Sequence, residues 1–222
     1  MNGFDLLIFD LDGTLLDTAL DVLTSTNLAL EKMDLPAVTA DRLKKAIGPG
    51  AEVFAEIVLG KENFFRMDEF FALYRPIYHE KCLENTKPFA DIPVLLMQMK
   101  RNKIFLSVAT NKPLIFSAEI LEQLQLAQYF DFIAGPEKVT KVKPDPEMIN
   151  FLIDHFSVKK EKTLVIGDTR NDILAARHAG ARSCAAGWGY TSHAELYKLR
   201  PDFFAMRPLD IVQFIFNHHA EK

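Results

Sequence analysis

Two carboxylates two positions apart, Asp10 and Asp12, stand where an apolar run ends. The run, Leu6-Leu7-Ile8-Phe9, reads as a buried strand from about Asp5 to Phe9. In extended chain, residues i and i+2 point the same way, so Asp10 and Asp12 are expected side by side beyond the strand's carboxyl end. A glycine turn follows at once in Asp12-Gly13-Thr14. Open α/β sheets bind their ligands in the crevice at such strand ends. Crowded carboxylates repel each other, and a pair of them awaits a metal ion, a proton or a substrate. A lone Asp-x-Asp is more often an ordinary turn. Here further polar groups arrive at later strand ends.

Thr110-Asn111-Lys112-Pro113 closes a second apolar run, and Pro113 opens a helix. A hydroxyl and backbone N–H groups at a helix start form an anion site. Lys143 precedes Pro144, which keeps it out of helical geometry and lets its ammonium be directed. In Gly167-Asp168-Thr169-Arg170-Asn171-Asp172, Asp168 ends a strand and Asp172 lies one turn further on. Each has an ordinary alternative. Thr110 and Asn111 can cap a helix, Lys143 can be a solvated loop lysine, and Asp168 can be an N-cap. Their joint placement at successive strand ends points instead to one site. Three or four carboxylates suit a hard divalent cation with oxygen ligands, Mg²⁺ rather than zinc. A lysine and a threonine beside them suit a phosphoryl group. One carboxylate left as nucleophile can form an aspartyl-phosphate.

The elements that position these groups alternate. After the first strand, residues from about 17 to 85 read as all-helical. Asp17 or Thr18 can cap a helix to about Met33, Thr39 a second, and Gly48-Pro49-Gly50 breaks the chain before a third over Ala51 to Leu59. A fourth spans Asp68 to Glu84. From Lys87-Pro88 onward, strands near Ile104–Ala109, Phe132–Ala134, Thr163–Gly167, Arg182–Ala186 and Phe203–Ala205 alternate with helices. Of those helices, one is capped by Asp91, one starts at Asp145-Pro146, and one stops at Gly180. Ser192 to Glu195 fits a capping box. The expected fold is α/β: a Rossmann-like, doubly wound parallel sheet with an all-helical cap inserted after its first strand. Residues 1–16 and 87–222 form the core and residues 17–86 the cap, which roofs the site.

With 222 residues, of which 49% are apolar, the chain can bury a substantial core. The formal charge of −4 argues against a partner held by phosphate contacts, so no nucleic acid is expected. Cys82 and Cys184 are far apart in the sequence and form no ligand spacing, and they are expected reduced. No signal peptide or apolar run of membrane-spanning length is evident, so the cytoplasm is expected, with no membrane partner.

The chain resembles the haloacid dehalogenase superfamily, in its phosphatase branch. Asp10-Leu11-Asp12-Gly13-Thr14 is similar to the first family motif, Thr110 to the second, Lys143 to the third, and Gly167 to Asp172 to the fourth. The resemblance spans essentially the whole chain. Its nearest subgroup is the phosphoglycolate phosphatase-like enzymes, on Asp17-Thr18, Ile47-Gly48-Pro49-Gly50, Thr110-Asn111-Lys112-Pro113 and Asp172 to Gly180. It implies Asp10 as nucleophile and Mg²⁺ ligand, and Asp12 as general acid and base with its backbone carbonyl on the metal. It implies Thr110, the Asn111 backbone amide and Lys143 as phosphoryl holders, and Asp168 as a further metal ligand. Asp172 is implied either as a metal-shell carboxylate or as the group that orients Lys143. The substrate implied is a small phosphorylated metabolite, with 2-phosphoglycolate the first choice.

Some readings stay open from sequence. A phosphosugar mutase shares the first motif, and a pyrophosphatase or nucleotidase shares the superfamily. A phospho-accepting receiver module also uses an acidic cluster with Thr and Lys, but has no helical insertion after its first strand. Gly48, Pro49 and Gly50 either form a loop of the cap that reaches the substrate or make only a turn between helices. Arg75, His79 and Lys45 are each either solvated or facing a substrate carboxylate. Trp188-Gly189-Tyr190 either lines the pocket or packs, His178 is structural, and His218-His219 is a frayed tail.

Overall fold

The computed structural model describes residues 3–216, so the expectation for His218-His219 lies outside the described residues. β1 (Leu6–Phe9) is buried along its whole length. β4 (Phe105–Ala109) and β6 (Thr163–Gly167) pair with it in parallel on either side. β5 (Phe132–Ala134) extends the sheet beyond β4, and β7 (Arg182–Ala186) and β8 (Phe203–Ala205) extend it beyond β6. The order is β5-β4-β1-β6-β7-β8, all parallel. The chain moves outward from β1 in one direction, then returns to build the other half. The switch in direction puts the crevice beyond the ends of β1, β4 and β6.

The two-residue period of β1 sorts its side chains. Leu6 and Ile8 face a layer made by α7 (Glu147–Phe156) and α8 (Arg170–Ala179), through Met148, Ile149, Leu152, Ala175 and Ala176. Leu7 and Phe9 face the opposite layer of α5 (Ile92–Arg101), α6 (Leu114–Gln123) and α10 (Asp210–Phe216), through Leu95, Met99, Ile120 and Ile211. A strand buried on both faces must be apolar throughout, which is why Leu6 to Phe9 shows no alternation. α9 (His193–Lys198) lies between β7 and β8 in the chain. The expected doubly wound α/β core is the fold observed.

Between β2 (Leu16–Asp17) and β3 (Lys87–Pro88) the chain makes four helices, α1 (Ala19–Lys32), α2 (Ala40–Ala46), α3 (Ala51–Leu59) and α4 (Met67–Lys81). β2 and β3 pair antiparallel, so the strands where the insertion leaves and rejoins the core lie side by side. Sequence reading missed this pair because two residues carry no periodicity. Buried Asp21 reinforces it by accepting hydrogen bonds from the backbone and side chains of Asn85 and Thr86 at 2.8–3.1 Å. A run of rings, Phe54, Phe70, Tyr74 and Tyr78, packs α3 onto α4 and onward to Phe116 of α6.

Three expected caps differ. Thr18 holds the N-cap position of α1 without a side-chain cap bond, because its hydroxyl is directed to Asp12. Asp91 precedes α5 in left-handed backbone, φ 67°, again without a cap bond. α7 begins one residue later than expected, with Pro146 at the N-cap position and the Asp145 carboxylate accepting the Glu147 N–H. Cys82 and Cys184 are buried and unpaired with each other.

Candidate active site

Adjacent strands stand about 4.8 Å apart, so groups just beyond neighbouring strand ends are brought together by the sheet itself. Asp10 follows β1, and its N–H continues the ladder onto the Ile166 carbonyl at 2.9 Å. Thr110 follows β4 and does the same onto Ala134 at 3.0 Å. Asp168 follows β6. One carboxylate oxygen from each of Asp10, Asp168 and Asp172 lies within 4.8 Å of the others, and all three residues are buried.

A single ammonium stands among them. Lys143, 2% exposed, donates to Asp10 Oδ1 at 2.8 Å, to Asp172 Oδ1 at 2.6 Å and to the Ala109 carbonyl at 2.6 Å. Its three donors are therefore all used. Asp172 Oδ2 accepts from the Thr169 N–H and hydroxyl, so both Asp172 oxygens are committed, one to α8 and one to Lys143. Asp168 is held by the Thr14 hydroxyl at 3.0 Å and the Tyr190 N–H at 2.8 Å. Burial, and then the neighbouring Asp172, push the Asp10 carboxyl up to about 7. Burial and Asp10 likewise hold Asp168 well above the usual carboxylate range. Burial alone would lower Lys143, but Asp10 and Asp172 outweigh it and raise the ammonium above its ordinary value. Three buried carboxylates against one ammonium leave an excess of negative charge on an all-oxygen donor set. That is the chemistry a hard divalent cation fits.

Asp12 stands in a separate ion pair. Its Oδ1 accepts from the Thr18 hydroxyl at 2.6 Å and from Lys112 Nζ at 2.9 Å, and Oδ2 takes Lys112 at 3.1 Å. Lys112 Nζ also lies 4.7 Å from the centre of the Tyr78 ring. The two motif carboxylates, expected side by side, thus have different cations. The Asn111 side chain brackets the Lys143 backbone, with Oδ1 accepting its N–H at 3.0 Å and Nδ2 donating to its carbonyl at 2.8 Å. Nδ2 also donates to the Gly48 carbonyl of the insertion at 2.8 Å. Thr110 Oγ1 accepts the Lys112 N–H at 3.1 Å.

Asp10, Asp12, Thr110, Asn111 and Lys112 form the floor of a cavity whose walls come from the insertion and α6: Val22, Ile47, Phe54, Tyr74, Tyr78 and Phe116 among them. Gly48 and Gly50 line it, both in left-handed backbone, φ 105° and 104°, whereas Pro49 between them is not among the lining residues. Of Arg75, His79 and Lys45, Arg75 lines the cavity. His79 instead faces Glu119 of α6 at 3.3 Å, and Lys45 is not among the lining residues. His178 contacts the Pro144 carbonyl, away from the cavity.

Trp188 and Tyr190 pack behind the acidic cluster rather than lining the cavity. Trp188 Nε1 donates to the Thr14 carbonyl at 2.9 Å. The Tyr190 hydroxyl accepts the N–H groups of Thr18 and Ala19 at 2.7 and 3.0 Å and donates to Asp17 Oδ1 at 3.1 Å. Gly189 between them has no room for a side chain, since a Cβ would meet Asp168 Cβ at 2.2 Å and the Gly13 carbonyl at 2.5 Å. Sequence reading gave no role to Lys112 or Thr14, and gave Thr18 only that of a helix cap. Lys112 left a signal as a cation in the polar segment Thr110 to Pro113 that follows a strand end.

A family model described as haloacid dehalogenase-like hydrolase matches residues 7–186. The chain belongs to that family. It is 35% identical over 215 residues to a phosphoglycolate phosphatase of Aquifex aeolicus, covering 97% of this chain and 98% of that one. It is 32% identical to one of Aliivibrio fischeri, covering 89% and 90%. Among solved structures, a haloacid dehalogenase-like family hydrolase from Streptococcus pneumoniae superposes with a TM-score of 0.85 at 26% identity, covering 96% of this chain and 99% of that one. Family membership and these relatives make this chain a phosphoric monoester hydrolase, of the phosphoglycolate phosphatase-like kind. No helix among the described residues is long and apolar enough to cross a membrane.

Proposed function

We propose that this chain is a Mg²⁺-dependent phosphatase that acts on a small phosphomonoester, 2-phosphoglycolate before others, through an aspartyl-phosphate on Asp10. The observation that carries the reading is the division of labour between the two motif carboxylates. Asp10 shares Lys143 with Asp172, while Asp12 stands beside it on a different cation, and both open on one cavity. A nucleophile and a leaving-group acid need that separation.

Asp10 attacks phosphorus in line, and the ester oxygen leaves from the opposite side. Asp12 gives that oxygen a proton and then takes one from the water that hydrolyses the acyl phosphate. Such acid–base help contributes about 10²- to 10⁴-fold in rate. The Thr110 hydroxyl and the Asn111 N–H hold the phosphoryl oxygens, Lys143 joins them by exchanging one of its three present acceptors, and Asp172 orients Lys143. Asp10, Asp168 and the Asp12 backbone carbonyl would hold Mg²⁺. When bound, it neutralises phosphoryl charge that these carboxylates would otherwise repel.

Residues 17–86 act as a cap over the core formed by residues 1–16 and 87–222. The apolar walls they supply exclude water and leave room for a metabolite rather than a macromolecule. Two relatives with phosphoglycolate phosphatase names cover nearly the whole chain, which supports the substrate. The test is turnover of a panel of phosphorylated metabolites with Mg²⁺, beside Asp10→Asn. The wild type should hydrolyse 2-phosphoglycolate and the variant should not. Residual turnover in Asp10→Asn, free of wild-type contamination, would exclude Asp10 as nucleophile.

A further inference from the structure

Two cations, Arg75 and Lys112, line the cavity, whereas Lys143 is not among its lining residues. Arg75 is exposed on α4, and its guanidinium lies over the Phe71 ring at 5.4 Å. Lys112 is different in kind. Its side chain is 8% exposed, and its ammonium is fixed between the Asp12 carboxylate and the Tyr78 ring. Lys143 uses three acceptors, whereas Lys112 has the two oxygens of one carboxylate among the described residues. It therefore faces the cavity with hydrogen-bonding capacity in reserve.

Position decides what that capacity reads. A proton donor must come within about 2.6–3.2 Å of the leaving oxygen. Lys112 is one hydrogen bond from the group proposed as that donor. A substituent two bonds from the ester oxygen is the part of a substrate that reaches the same place. Val22, Ile47, Phe54 and Phe116 in the surrounding walls are apolar, so an anion beside Asp12 finds in Lys112 a buried cation, and the low local polarity strengthens that attraction.

We propose that Lys112 is a specificity-determining residue that selects phosphomonoesters bearing a carboxylate on the carbon next to the ester oxygen. The inference rests on the phosphatase reading and names what that site prefers. Asp12 and Tyr78 hold the ammonium in place before substrate arrives, so little side-chain freedom is lost on binding.

The test compares 2-phosphoglycolate with 2-hydroxyethyl phosphate, which replaces the carboxylate by a hydroxymethyl group and leaves the ester unchanged. The wild type should favour 2-phosphoglycolate in kcat/KM. Lys112→Met should lower kcat/KM for it by roughly 10- to 100-fold and for 2-hydroxyethyl phosphate by much less. Lys112→Arg, which keeps the charge, should retain the preference. Equal losses on both esters would mean that Lys112 only positions Asp12, and a wild type without preference would overturn the proposal outright. A second readout is calorimetric binding of the two esters to Asp10→Asn protein, with and without Lys112→Met. The affinity ratio between the esters should collapse in the double variant. If the wild type hydrolyses no phosphomonoester while that ratio still collapses, the phosphatase reading fails and Lys112 stands as an anion reader. If the ratio is unchanged, Lys112 does not read the carboxylate.

Discussion

The Asn111 side chain ties Lys143 to Gly48: one amide brackets the lysine's backbone and donates to the glycine's carbonyl, each at 2.8–3.0 Å. A residue of the sheet end thereby fixes both the backbone of the buried lysine and the loop of the insertion. Asn111→Ala removes the three bonds and leaves the buried Lys143 N–H without its acceptor. The expected cost is about 1–3 kcal/mol of stability, with a loss of kcat/KM of about tenfold or more. Denaturant unfolding and steady-state kinetics check it. Wild-type stability in the variant would mean that the amide is dispensable.

Asp10 makes a pH prediction for the protein freed of divalent metal. Its carboxyl is raised from 3.8 to about 7 by burial and by Asp172. The folded state therefore holds a proton that the unfolded chain releases, and the stability this contributes is lost as pH climbs from near 4 through about 7. Asp10→Asn carries no such charge. In EDTA its Tm should exceed that of the wild type at pH 8, and the gap should shrink as pH falls toward 5. A gap independent of pH would place the effect elsewhere. Adding Mg²⁺ should raise the wild-type Tm more than that of the variant.

Asp12→Ala should discriminate by leaving group. An alkyl alcohol needs protonation as it departs, and p-nitrophenolate needs far less. The loss in kcat should be about 10²-fold or more for 2-phosphoglycolate and clearly smaller for p-nitrophenyl phosphate. Equal losses would remove Asp12 as the leaving-group acid.

Much of this fold is legible in the sequence because β1, β4 and β6 are apolar runs that end abruptly in polar residues. The same endings mark Asp10, Thr110 and Asp168 as site residues from local pattern alone. Contacts made across the chain are not legible in that way. Thr18 has the sequence of a helix cap, yet its hydroxyl reaches Asp12. β2 and β3 are too short to show a period, and pair only because the insertion returns to its starting point. Lys112 and Asp12 lie a hundred positions apart, so their ion pair exists only once β4 has docked beside β1. Local pattern reports the strand; the partner of a strand-end side chain depends on the sheet order.

Tyr190 does from across the chain what Thr18 was expected to do. Its hydroxyl accepts the Thr18 and Ala19 N–H groups at the start of α1, while its own N–H holds Asp168. Tyr190→Phe separates the two tasks, because the backbone bond to Asp168 survives and the hydroxyl bonds do not. The loss of two amide partners and of the bond to Asp17 should cost about 1–3 kcal/mol. With the base of the insertion less firmly held, kcat/KM on 2-phosphoglycolate should fall several-fold. The Mg²⁺ concentration for half-maximal activity should stay at the wild-type value. Asp168→Ala, run beside it, should raise that concentration by tenfold or more, since it removes a charged oxygen ligand. A matching rise in Tyr190→Phe would mean that the ring hydroxyl supports the metal ligands rather than the insertion. An unchanged Tm and unchanged kinetics would mean that the start of α1 is held without it.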